Sequence, residues 1–211
     1  MDAYKIIKDD LISFIRTWLK TGLICNTQVS GEFFSNPTEI KSDVSYYKSE
    51  TNYDEMFLED YEKQRFLLAL EDGSFFQVAF EFIKIKKNTF LKKATLSFLP
   101  NNLNEGEWHS YLRMDYDLEG DNSFFHPVTH LHIGLHDDIR IPTDEIPLFS
   151  EFFKFVMYLY YKEKFFQIYK LDSISNTEIK DCGRLTSIMP ISHEAKQFVY
   201  LNISQIANSR F

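Results

Sequence analysis

At 211 residues, with 21 Phe and 12 Tyr against 7 Gly and 6 Pro, the chain can bury a substantial apolar core, which excludes a disordered or disulfide-dependent scaffold. Its net charge of −8 excludes nucleic-acid binding by the surface as a whole, so such a contact needs a local basic strip. The acidic opening Met1-Asp2 has no basic region before an apolar run, and nothing approaches the ~18 apolar residues of a membrane span.

A cytoplasmic protein without membrane contact is therefore expected. Cys25 and Cys182 have no Cys-x-x-Cys spacing and read as two buried free thiols of a reducing cytosol, one long-range disulfide being the alternative.

Residues 3–20 read as a helix, because Ile7, Leu11, Phe14, Ile15, Trp18 and Leu19 recur at three- and four-residue spacing. Gly22 is a stop signal. From Leu23 to Tyr53 the pattern weakens to loop and short strand, with alternation from Ile40 to Tyr46. Met56, Phe57 and Tyr61 suit a short acidic helix over 53–63.

From Arg65 the period changes to two. Phe66, Leu68 and Leu70 lead to Glu71-Asp72-Gly73-Ser74, a hairpin signal, and Phe76, Val78, Phe80 and Phe82 share one face of the return strand. Lys86-Lys87-Asn88 makes a second turn, followed by Phe90, Ala94, Leu96 and Phe98 at even positions. Lys84, Lys86, Lys87, Lys92 and Lys93 form the one visible basic strip, which reads as a solvated hairpin end. A fourth strand over 108–116 has Trp108, Leu112, Met114 and Tyr116 facing a core, while its odd positions His109, Tyr111, Arg113, Asp115 and Asp117 do not.

Five of the six histidines lie between His109 and His136. Alternation over Thr129–His136 puts Leu131, Ile133 and Leu135 on the core side and His130, His132, Gly134 and His136 on the other. Gly134 in that row leaves room for close approach. If this strand pairs with the preceding one, core must match core, and Arg113 and Asp115 then share a face with His130 and His132. His126, before Pro127, stands at the strand's entrance, and His109 and His193 are expected at the surface.

After Pro142, Leu148 to about Tyr161 reads as a buried helix. A short strand around Arg184–Met189 and a last helix after Ser192, with Ala195, Phe198, Val199 and Ile203 inward, complete the chain. The expected fold is α+β: one domain over 1–211, with an N-terminal helix at 3–20, a mostly antiparallel meander of five or more strands at about 65–142, and C-terminal helices at about 148–206.

Three chemistries need such a set of side chains. In phosphodiester cleavage, His130 and His132 act as acid and base, Asp115 orients, and Arg113, Arg140 and His136 hold the substrate phosphate. In metal binding, His130 and His132, with His136 or Asp115, hold zinc or another divalent ion. In the third, His and Arg bind an anion or nucleotide without catalysis. The plainer reading stands beside these: the histidines are solvated on an open strand face or covered by the aromatic N-terminal segments.

Asp72-Gly73-Ser74, Leu96-Ser97-Phe98-Leu99-Pro100, Leu112-Arg113-Met114-Asp115-Tyr116-Asp117, and His126-Pro127-x-x-His130-Leu131-His132-Ile133-Gly134 with Arg140-Ile141-Pro142 resemble a prokaryotic domain family of unknown function. The resemblance covers most of the chain and is strongest from about 65 to 160, with Glu119–Ser123 as a longer acidic insert. The histidine-rich end also resembles, over a shorter stretch, small toxins of toxin–antitoxin pairs that carry H-P-x-x-H elements. Together these imply a role in bacterial conflict. The leading expectation is a defence- or toxin-associated nuclease acting on RNA, without a cofactor or with a divalent metal. The alternative is a non-catalytic subunit that binds a nucleotide or a partner protein in a defence complex, which the acidic surface favours.

Overall fold

The computed structural model describes residues 2–48, 50–103, 109–119, 128–135, 140–143 and 145–169, and over these the chain is α+β. Helix α1 (Ala3–Trp18) starts where the Asp2 side chain accepts from the Lys5 amide at 3.2 Å, and Ala3, Ile7, Leu11, Phe14, Ile15 and Trp18 form its buried face. Gly22, with φ of 76°, turns the chain out of it.

Strands β1 (Ile24–Thr27) and β2 (Glu39–Lys41) and helix α2 (Tyr53–Glu62) follow. Next come β3 (Leu68–Leu70), β4 (Phe75–Ile85), β5 (Asn88–Leu99), β6 (Leu112–Asp117), β7 (Thr129–Ile133) and β8 (Ile141–Pro142), then α3 (Phe149–Tyr160) and α4 (Lys162–Tyr169).

The strands form one sheet in the order β1-β3-β4-β5-β6-β7-β8, with β2 also paired to β4. Every pairing between these strands is antiparallel. The Asp72-Gly73 turn joins β3 to β4 with Gly73 at φ 87°.

One sheet face carries Phe76, Val78, Phe80, Ala94, Leu96, Phe98, Leu112, Met114 and Tyr116, all buried with α1 and α3 in one apolar cluster. Phe76 packs against Phe149, Phe152 and Phe153 at ring separations of 5.1–6.2 Å. Leu148, the residue before α3, gives its helix no side-chain cap. Asp10 of α1 caps it instead, accepting from the Ser150 amide at 3.1 Å and from the Ser150 hydroxyl at 2.5 Å. Burial pushes the Asp10 carboxyl above its ordinary value, although the two Ser150 bonds pull it down.

The opposite face is not open. Residues 42–48 and α2 lie over it, and Tyr47, Phe57, Phe66, Ala69, Phe75, Leu99 and Tyr111 form a second buried cluster there. Tyr111, just before β6, and Arg113 within it are accordingly buried, while Asp115 and Asp117 are partly so. Alternation alone left that face uncovered.

Other departures have local causes. A register irregularity between Glu81 and Phe82 shifts the phase of the β4–β5 ribbon, so Leu91 rather than Phe90 is buried. A similar irregularity between Ile24 and Asn26 leaves Cys25 unpaired in the register and exposed, not buried, with its thiol donating to the Leu70 carbonyl at 3.1 Å. Gly134, at φ 71°, ends β7 after Ile133. Leu135 then packs on the second cluster, and Ile133 is 41 % exposed instead of joining the core. His109 is half-buried, its ring 4.7 Å from that of Tyr160.

Lys84, Lys86 and Lys87 are exposed at the hairpin end, whereas Lys92 and Lys93 pair with Glu119 and Asp117. No helix among the described residues is long and apolar enough to cross a membrane. Trp108, His126, His136, Cys182, His193, the strand expected at 184–189 and the last expected helix lie outside the described residues.

Candidate functional site

Antiparallel pairing turns the polar positions of β4–β8 into rows running across the sheet. One row is Gln77, Ser97, Arg113 and His132. The next is Ala79, Thr95, Asp115, His130 and Pro142. A third is Glu81, Lys93 and Asp117. The core-matching argument thus describes the observed pairing of β6 with β7: Arg113 is opposite His132 and Asp115 opposite His130.

The side chains of the first two rows meet at Asp115. Arg113 Nε donates to Asp115 Oδ2 at 2.8 Å, and Thr95 Oγ1 donates to Oδ1 at 3.0 Å. His132 Nε2 lies 3.3 Å from Asp115 Oδ2, and His130 Nε2 lies 3.8 Å from the same oxygen. The two imidazoles are edge to face with centroids 4.8 Å apart. His130, His132 and Arg113 are only 2 %, 1 % and 6 % exposed. Burial alone would raise the Asp115 carboxyl; the His132 contact and the Arg113 charge overcome this and hold it below its ordinary value. Asp115 in turn keeps Arg113 firmly protonated against the cost of its burial.

His132 Nε2 also stands 3.1 Å from Arg113 Nη2. A guanidinium nitrogen can only donate and a carboxylate oxygen can only accept. The ring nitrogen between them can therefore satisfy one neighbour at a time: without a hydrogen on Nε2 it accepts from Arg113, and with one, in the Nε2–H tautomer or the imidazolium, it donates to Asp115. Its other nitrogen, Nδ1, is buried with no hydrogen-bond partner among the described residues, so the usual second contact that fixes a tautomer is missing there.

A cavity of about 190 Å³ opens beside this centre, lined by His130, Asp115, Thr95, Lys93 and Tyr46 among others. Glu81 and Asp117 bring negative charge to the same wall. A second cavity of about 510 Å³ shares Tyr46, Ala79 and Glu81 with the first and adds Lys41, Asp43 and Arg65. Ala79 is the small residue in the row of Asp115 and His130. Neither Arg113 nor His132 lines either cavity. The Arg113 guanidinium carbon instead lies 5.3 Å from the centroid of the Tyr46 ring, which is 56 % exposed.

The structure brings together Arg113, Asp115, His130 and His132. Arg140 stands half-buried just before β8 and does not line either cavity. Of the three histidines expected to hold a metal, His130 and His132 are adjacent, and Asp115 supplies the third neighbouring ligand atom, all within 4.8 Å of one another. Sequence reasoning did not place Thr95, Lys93 or Tyr46 at this site, and read Lys93 as part of a solvated hairpin end. The polar odd positions Lys93, Thr95 and Ser97 of β5 were a usable signal, since they continue the Arg113–Asp115 row. Tyr46 ends the alternating stretch from Ile40, which carried no signal of a place beside this row.

No curated protein and no solved structure matches the chain. Residues 102–203, close to half of the chain, match the family described as Uncharacterized conserved protein (DUF2290), and this stretch carries all four side chains of the Arg113–Asp115–His130–His132 centre.

Proposed function

We propose that the chain is a nuclease of prokaryotic defence or toxin systems, cleaving RNA phosphodiester bonds at the Asp115 centre. One observation carries the reading: two imidazoles and an arginine converge on the single oxygen Oδ2 of Asp115, and His130 brings that cluster to the cavity wall beside Lys93. Buried polar groups arranged this way, with a carboxyl shifted by its partners, are characteristic of reactive centres. Both rings turn Nε2 towards the same carboxylate, an arrangement that suits one cooperative centre better than an acid and a base on opposite sides of a phosphorus. Arg113, enclosed behind Tyr46, positions Asp115 and His132, and Lys93 is the cation that a phosphate in the cavity would meet.

The test is cleavage of a fluorogenic RNA by the full chain. His130→Ala and His132→Ala are each expected to lower the rate by about 10²-fold or more, with far-UV circular dichroism unchanged. Unchanged cleavage in folded His132→Ala would sink the proposal.

The enclosure of His132 and Arg113, with Glu81 and Asp117 on the cavity wall, favours a second reading: binding of a nucleotide or partner protein without chemistry. Wild-type protein that binds a nucleotide saturably and leaves every RNA tested intact would establish it over the first.

A further inference from the structure

The pairing of β6 with β7 delivers one carboxylate and two imidazoles to one point, because Asp115 is directly opposite His130 and diagonal to His132. A ligand atom from each lies within 4.8 Å of the others, with separations of 3.3 Å and 3.8 Å from Asp115 Oδ2 to the two histidine nitrogens. Ligands bonded at about 2.1 Å to a tetrahedral zinc ion stand ~3.4 Å apart. A side-chain adjustment of about an ångström would therefore close this triangle around an ion.

Two features go beyond the cluster itself. Thr95 Oγ1 donates to Asp115 Oδ1, leaving Oδ2 turned to the imidazoles, the kind of outer bond that orients a ligating carboxylate. The His130 and Asp115 side of the triangle also borders the cavity, so a further ligand from water or substrate has room.

The same point already attracts a cation. Arg113 meets two of the three atoms, through Nε at 2.8 Å to Asp115 Oδ2 and Nη2 at 3.1 Å to His132 Nε2. The guanidinium satisfies the carboxylate, but for His132 it competes with that carboxylate for one nitrogen. A divalent ion would satisfy both lone-pair donors at once. Imidazole and carboxylate together suit zinc and neighbouring transition metals better than magnesium or calcium.

We infer that Asp115, His130 and His132 bind one divalent transition-metal ion, with Arg113 as the cation that it displaces. The inference deepens the nuclease reading and rests on it only in taking the Asp115 centre as the working site. An ion there would polarise a phosphodiester oxygen or a bound water, and the histidines would act as its ligands.

Chelator-treated, desalted full-length protein is titrated with Zn²⁺ against a competing indicator and, separately, with Co²⁺, whose visible absorption reports coordination. One ion per chain is expected, with a Co²⁺ spectrum distinct from that of the aqueous ion. His132→Ala and Asp115→Asn are each expected to weaken Zn²⁺ binding by about tenfold or more, and Arg113→Met to tighten it by about tenfold, since a competing charge is removed.

No stoichiometric ion in the wild-type protein, or unchanged affinity in His132→Ala, overturns the inference. If the variants unfold, the wild-type Co²⁺ spectrum decides, and a spectrum identical to the free ion's overturns it. Cleavage of RNA that persists in excess chelator with no bound ion leaves the nuclease reading standing and removes the metal. A bound ion in a protein that cleaves no RNA does the reverse.

Discussion

Two carboxylates at the covered face of the sheet, the buried Asp60 of α2 and the partly buried Asp115 of β6, have similar partners and opposite characters. Asp60 accepts from Tyr47 Oη at 2.9 Å and Gln77 Nε2 at 3.1 Å, and Arg65 Nη1 reaches its other oxygen at 3.3 Å. Every neighbour is a donor, so the cluster is complete. Asp115 also has an arginine and a hydroxyl, but it faces two imidazoles, one of which is contested by the arginine. The first arrangement ties α2 and the segment at Tyr47 to β4. The second keeps a nitrogen lone pair and a carboxylate oxygen directed at one point. A satisfied polar network makes a fastener, and a contested one makes a site.

The comparison can be broken by stability measurements. The largest effect is expected from Asp60→Ala, which strands two buried donors and an arginine and should cost about 3 kcal/mol in chemical denaturation, with metal binding unchanged. Tyr47→Phe removes one hydrogen bond to a charged acceptor and should cost about 2 kcal/mol.

His132→Phe puts a somewhat larger apolar ring in the imidazole's place, removing both Nδ1, which has no partner among the described residues, and the Nε2 contacts to Arg113 and Asp115. It should cost about 1 kcal/mol, well short of Asp60→Ala, while abolishing RNA cleavage. A loss as large as that of Asp60→Ala would make the two centres alike. Tyr46→Ala, on a half-exposed cation–π contact, should cost only about 0.5 kcal/mol.

Acid unfolding sharpens the contrast further. The Asp115 carboxyl is held below its ordinary value in the folded chain. It therefore contributes stability that is fully present above the unfolded value of about 3.9 and is lost as pH falls through the lower folded value. Asp10 is shifted upward and acts in the opposite direction, contributing stability that declines as pH rises through its folded value. Melting temperatures recorded against pH should show a shallower acid limb in Asp115→Asn than in wild type. An identical limb would contradict the depressed carboxyl.

Much of the fold and the centre was legible from alternation. Phe76, Val78, Phe80 and Phe82 do share the buried face of β4, and matching Leu112 to Ile133 and Met114 to Leu131 places Arg113 and Asp115 beside the histidines. Alternation fails where the backbone itself changes phase. The irregularity at Glu81/Phe82 exchanges Phe90 for Leu91, and the left-handed Gly134 sends Leu135 to the other face. It also carries no information about what lies over a sheet. The cover provided by Ser42, Ser45 and Tyr47 is made through contacts 32 to 36 residues away for the two serines, to Val78 and Gln77, from a segment whose alternation read only as loop and short strand. That cover is why Arg113 and His132 are enclosed when their strand pattern suggested an open face. Helix α4 was not anticipated, since Tyr161 interrupts the apolar run only by its backbone angles.

The bond between Asp10 and Ser150 has a consequence for how the chain is made. Its two ends are 140 residues apart. A ribosome adding about 5–20 residues per second needs roughly seven to thirty seconds to travel from one to the other. During that interval Phe14 and Trp18 have no Phe149 or Phe153 to pack against, although these rings stand 4.7–5.1 Å apart in the finished fold. Helix α1 thus leaves the ribosome long before the helix that closes over it. Nascent chains that stop before Phe149 should be captured by chaperones through the stripe from Ile7 to Trp18.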